Sequence, residues 1–72
     1  MTSIKNDAVK LLTHHRLTPE MLLYQLQNEP AVVLKDTQNT VWTFVSRHNC
    51  RRYLMAKAGM MTRFEEIYCS TL

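Results

Sequence analysis

Ser46-Arg47-His48-Asn49-Cys50-Arg51-Arg52-Tyr53-Leu54-Met55-Ala56-Lys57-Ala58-Gly59 is the stretch that decides the fold, because it joins an apolar stripe to most of the chain's excess positive charge. At about 100° per residue, Cys50, Tyr53, Leu54, Ala58 and, further on, Met61 share one stripe. Arg47, His48, Arg51 and Arg52 fan across the flank and back, and Lys57 interrupts the stripe and must snorkel from its edge. Ser46 can cap the start, and Gly59 either caps the end or weakens a helix that runs on. The spacing therefore predicts a basic amphipathic helix over residues 46–59.

Upstream lie Ala31-Val32-Val33-Leu34 and Thr40-Val41-Trp42-Thr43-Phe44-Val45, rich in β-branched and aromatic residues, with the turn formers Asp36-Thr37-Gln38-Asn39 between them. They predict a β-hairpin. Both faces of its second strand are apolar, which predicts covering by helices. Ile4, Ala8, Leu11, Leu12 and His15 recur at helical spacing, and Leu17-Thr18-Pro19-Glu20 is a helix start: Thr18 as N-cap, Pro19 at the first helical position, Glu20 in the first turn. That second helix carries Leu22, Leu23 and Leu26 as its stripe and ends before Pro30. Downstream, Phe64, Ile67, Tyr68 and Leu72 keep helical spacing with Glu65 and Glu66 outward, and a short strand is the competing reading. The expected fold is a small single α+β domain over residues 1–72: two N-terminal helices, a β-hairpin, a basic third helix and a short C-terminal helix or strand.

Composition limits what such a domain can do. Seventy-two residues hold one core at most, and 46% hydrophobic with 21% charged residues is a globular balance. No apolar run is long enough to span a bilayer and the opening residues carry none of a signal peptide, so a cytoplasmic protein without membrane contact is expected. Cys50 and Cys69 are expected to be free thiols. The net charge is +3, and it is localised. Lys5, Lys10, Arg16 and Lys35 cancel Asp7, Glu20, Glu29 and Asp36, whereas Arg47, Arg51, Arg52, Lys57 and Arg63 follow one another with no acid between them. Such a field attracts phosphate or an acidic protein surface.

Arg47, Arg51, Arg52 and Arg63, with His48 and Asn49 among them, are the nucleic-acid-binding candidates. Guanidinium forks suit phosphates and guanine edges, and an amide can pair with adenine. If the partner is instead a protein, Met55, Arg51, Arg52, Trp42 and Phe44 are the anchor candidates, because interface cores favour Met, Arg and aromatics. Catalysis finds no constellation. Cys50 sits on the expected buried stripe, Glu65 and Glu66 face apart, and a single glycine cannot build a phosphate loop. His14 and His15 diverge on a helix and His48 has no ligand spacing, so no metal is expected. No cofactor and no small-molecule substrate are expected either.

Arg51-Arg52-Tyr53-Leu54-Met55-Ala56-Lys57-Ala58-Gly59-Met60-Met61-Thr62-Arg63 resembles the end of the recognition helix in small winged-helix regulators. Residues 4–12 with Leu17-Thr18-Pro19-Glu20 are similar to the first two helices of the short winged-helix proteins that control bacterial pilus operons. The resemblance covers about a third of the chain, and it implies DNA binding with Arg47, Arg51 and Arg52 at recognition-helix positions. The expected function is a small non-enzymatic regulator, of the kind phages and plasmids encode, acting on transcription through the basic helix. Specific binding would call for a homodimer, with the hairpin edge as its seam. The alternative is an inhibitor or antirepressor that captures a larger regulator or enzyme without contacting DNA.

Overall fold

The computed structural model describes residues 4–47 and 50–71. Six elements follow one another: α1 (Ile4–His14), α2 (Pro19–Gln25), β1 (Val32–Lys35), β2 (Val41–Arg47), β3 (Cys50–Ala58) and β4 (Glu65–Cys69). The strands form one antiparallel sheet in the order β1-β2-β3-β4, and both helices pack against a single face of it.

The N-terminal helices and the first hairpin form where periodicity and turn chemistry place them. The α1 helix buries Ala8, Leu11 and Leu12. It ends with Arg16 in the left-handed region at φ 58°, while Leu17 N–H donates to Leu12 O at 2.8 Å and Arg16 N–H to Thr13 O at 3.0 Å. These two bonds make a Schellman cap with arginine where glycine is usual. Thr18 Oγ1 then accepts from Met21 N–H at 3.2 Å, capping α2, which buries Leu22 and Leu23. In the β1–β2 turn the Asp36 carboxylate is fully engaged. Its Oδ1 accepts from Gln38 N–H at 2.8 Å and Thr40 N–H at 3.0 Å, and its Oδ2 from the Trp42 indole at 3.0 Å.

The basic helix over 46–59 is not formed; the segment is the end of β2 and the whole of β3. Its apolar residues fit two periods, and the second edge of β2 decides between them. Unpaired, that edge would leave a row of backbone groups beside the core. Paired with β3, it sets Trp42 opposite Ala58 and Phe44 opposite Ala56. Alternation then turns Leu54 and Ala56 to the helices, where both are fully buried. Alanines at 56 and 58 let the helices sit close to the sheet. Gly59, at φ 52°, is a turn residue and not a helix cap: its N–H donates to Val41 O at 2.7 Å.

No C-terminal helix is present among the described residues either, since Glu65–Cys69 is the edge strand β4. A shift in register opposite Leu54 and Met55 leaves Ile67 without a cross-strand partner, so Ile67 is buried and Tyr68 also packs on the core. Helices cover one face of β2 only, which corrects the expectation that both faces are covered. No helix among the described residues is long and apolar enough to cross a membrane.

Candidate nucleic-acid interface

Strand alternation gives the sheet two unlike faces. On the helix side Trp42 is 4% and Phe44 0% exposed, with their rings stacked at 6.5 Å between centroids. Both were expected as anchors of a protein interface, and burial removes them from that role. On the opposite face no element among the described residues lies over the strands. Val33 and Val41 are exposed there, and Thr43, Val45, Tyr53, Met55 and Lys57 are half-buried, shielded by one another.

The basic residues follow the same alternation. Arg47 ends β2 with its guanidinium carbon 5.2 Å from the centroid of the Tyr53 ring. Lys57 has its ammonium 5.0 Å from the Phe64 centroid. Two cation–ring pairs thus bracket Met55 along β3, and a rise of about 3.3 Å per residue puts roughly 13 Å between Tyr53 and Lys57. Register sets Thr43 opposite Lys57 and Val45 opposite Met55, which adds aliphatic surface beside the row. Lys35 lies at the far edge opposite Val41. Glu66, opposite Met55, is the acid that register places beside this row.

Of the expected nucleic-acid residues, Arg47 is part of this face. Arg52 is exposed where β3 begins, and its carbonyl accepts from Ser70 N–H at 2.8 Å. Arg63 is exposed in the β3–β4 connection, beside Met60 and Phe64 around a shallow depression, at the opposite end of the sheet from Arg47. His48, Asn49 and the side chains of Cys50 and Arg51 lie outside the described residues. The arginines therefore do not form one helical cluster; strands distribute them between two ends of the sheet. Met55, expected outward on a helix, does face outward, at the centre of the open sheet face. Tyr53 and Phe64 escaped notice as surface residues because both were assigned to helical stripes, and Lys57 was read as a basic residue at a stripe's edge but not as a site residue. The signal was present as period-two alternation in Tyr53-Leu54-Met55-Ala56-Lys57-Ala58.

Two carboxylates elsewhere have their affinity for protons lowered. Asp36 is held below the ordinary aspartate range, chiefly by the Trp42 indole, with the Thr40 and Gln38 amides adding to it. Glu20 is lowered chiefly by the Tyr68 hydroxyl, which donates to it at 2.8 Å, and the Tyr68 hydroxyl is raised in turn. Both carboxylates serve the fold, one fixing a turn and the other tying α2 to β4. Among the described residues no group of three or more His, Cys, Asp or Glu side chains could hold a metal ion. His14 and His15 meet edge to face, and His15 Nε2 lies 3.2 Å from Lys35 O at the sheet edge. No family model matches this chain, and comparison with curated proteins and with solved structures finds no match.

Proposed function

We propose that the protein is a small non-enzymatic regulator that binds single-stranded nucleic acid on its open sheet face. One observation carries this: on the open side of β3, Arg47 stands beside the Tyr53 ring and Lys57 beside the ring of Phe64, which lies just before β4. Single strands are held by stacking of bases on aromatic or guanidinium planes, with cations tracking the phosphates, and a four-stranded sheet carrying such residues accommodates two or three bases. Duplex DNA fits this face poorly. Four strands about 4.8 Å apart make a slab wider than the roughly 12 Å major groove. A cytoplasmic setting suits the exposed Cys69 thiol, which would stay reduced there. Regulation of transcription or of a transcript would follow from occupying an unpaired segment.

The test is fluorescence anisotropy of the full chain with labelled 12-nucleotide single strands and with a duplex, at about 50 and 200 mM salt. Three phosphate contacts give an expected log–log slope of about −2 on single strands, and Lys57→Gln should make it shallower by about 0.7. Tyr53→Ala should weaken binding by at least fivefold, since one lost stack is worth about 1–3 kcal/mol. Absence of binding at low salt, or binding indifferent to both substitutions, overturns the proposal. In that case capture of an acidic protein surface through Met55 and the same cations becomes the leading function.

A further inference from the structure

The charge and the apolar surface of α2 are opposite in kind to those of the open sheet face. The helix buries Leu22 and Leu23, and Leu26 just beyond it, so Met21 and Tyr24, three residues apart, share the side turned away from the core. Tyr24 is 73% and Met21 49% exposed, and with Leu17 they form the apolar floor of a shallow groove of about 600 Å³. The groove is bordered by Glu20 and Glu29, and no Lys or Arg lines it. Glu29 is oriented by the Gln25 amide, which donates to it at 3.1 Å, and Glu20 by the Tyr68 hydroxyl.

We infer that this groove is a docking site for a cationic, amphipathic segment of a protein partner, one with an apolar anchor beside Lys or Arg. Charge complementarity selects that occupant. On a chain with a net charge of +3, two carboxylates without a cation make a local reversal of sign. A nucleic acid would be repelled by both. A second copy packed symmetrically on the same groove would bring Glu20 and Glu29 against their own counterparts, and like charges at close range disfavour it. Tyr and Met supply contact area of the kind that centres protein interfaces, and the carboxylates at the rim steer a basic segment into place. The helices lie on the other side of the sheet from Arg47 and Lys57, so a protein and a nucleic acid could be held together, which would make the chain an adaptor.

The probe is a labelled 14-residue helical peptide of Leu and Lys with Leu at every third or fourth position, titrated onto the full chain and followed by anisotropy. A peptide with Glu in place of Lys is the control. The wild type is expected to bind the basic peptide roughly tenfold more tightly than does Tyr24→Ser/Glu29→Gln, and not to bind the acidic one. Tyr24 is exposed enough that the double variant should keep its circular dichroism spectrum and melting temperature. Equal binding by wild type and variant, or no binding, overturns the inference. So does concentration-dependent dimerisation in sedimentation that the same substitutions abolish, which would assign the groove to a second copy. Lys57→Gln should leave peptide binding unchanged, so failure here and failure of the nucleic-acid proposal are read separately.

Discussion

The two faces of the β2–β3 ribbon are built from alternate residues of the same strands and have opposite properties. Trp42, Phe44, Leu54 and Ala56 lose essentially all contact with water under the helices. Thr43, Val45, Tyr53, Met55 and Lys57, each next in sequence to one of those, stay half-exposed, with no helix among the described residues packed over them. The covered face is purely apolar. The open face mixes valine, methionine and tyrosine with cations placed against rings. A surface needed only for solubility would carry charge without the aromatics, and one needed only for packing would exclude the cations. If the open face binds as proposed, stability and recognition are divided within single strands, and substitutions one residue apart should act on different properties.

The largest effect tests that division directly. Phe44→Ala removes a fully buried ring from the centre of the sheet and should cost about 3–5 kcal/mol, a large fraction of what a domain this small has, leaving it unfolded or nearly so at room temperature. Its neighbour Val45→Ala, half-buried on the open face, should cost no more than about 1 kcal/mol. Urea unfolding followed by Trp42 fluorescence measures both. Similar losses for the pair would mean that the open face is covered in solution and would remove it as a binding surface.

A smaller effect has the opposite sign. Arg16 is held at φ 58° by the cap that ends α1, a conformation that costs a non-glycine residue about 1 kcal/mol or more. Arg16→Gly relieves that strain and loses part of the gain to the greater freedom of the unfolded chain, so a net gain of about 0.5–1 kcal/mol is expected. Because Arg16 lies in the turn between the two helices and not on the β2–β3 strands, affinity for single strands should not change. A loss of affinity would show that the turn between the helices takes part in recognition.

What was legible in the sequence follows the same line. The helices could be read because their signals are local: Thr18 and Pro19 start α2 whatever the rest of the chain does. The β1–β2 hairpin could be read because Val32–Leu34 and Val41–Val45 are poor helix formers around an Asp36–Asn39 turn. The segment from Arg47 to Ala58 could not be read from local signals. Leu, Met, Ala, Lys and Arg favour helices intrinsically, and the unpaired edge of β2 overrides that preference. A misassigned period over residues 46–59 then moved Tyr53 into the core, whereas Trp42 and Phe44, on a segment correctly read as a strand, were surface residues only in the protein-partner alternative. Arg47 and Met55 were read as outward-facing, which is where the strands place them, because a cation and a methionine among arginines are conspicuous in any conformation.

The smallest expected effect is a pH dependence confined to the covered side. Asp36 and Glu20 both bind protons more weakly in the folded chain than when unfolded, the first through the Trp42 indole and the second through the Tyr68 hydroxyl. A carboxylate depressed by folding contributes stability that is fully present above its unfolded value and is lost as the pH falls through the folded one. Melting temperature should therefore be flat from neutral pH down to the ordinary carboxylate range and decline below it. Both carboxylates are open to solvent, so the decline should be shallow. Tyr68→Phe removes the donor that depresses Glu20 and should flatten part of the decline while lowering stability at neutral pH. Asp36→Asn should destabilise at every pH, because one amide group cannot accept all three of the bonds from Gln38, Thr40 and Trp42. Acid should thus loosen the helices and the hairpin turn, and a melting temperature insensitive to acid in the wild type would show that neither carboxylate holds the covered face in place.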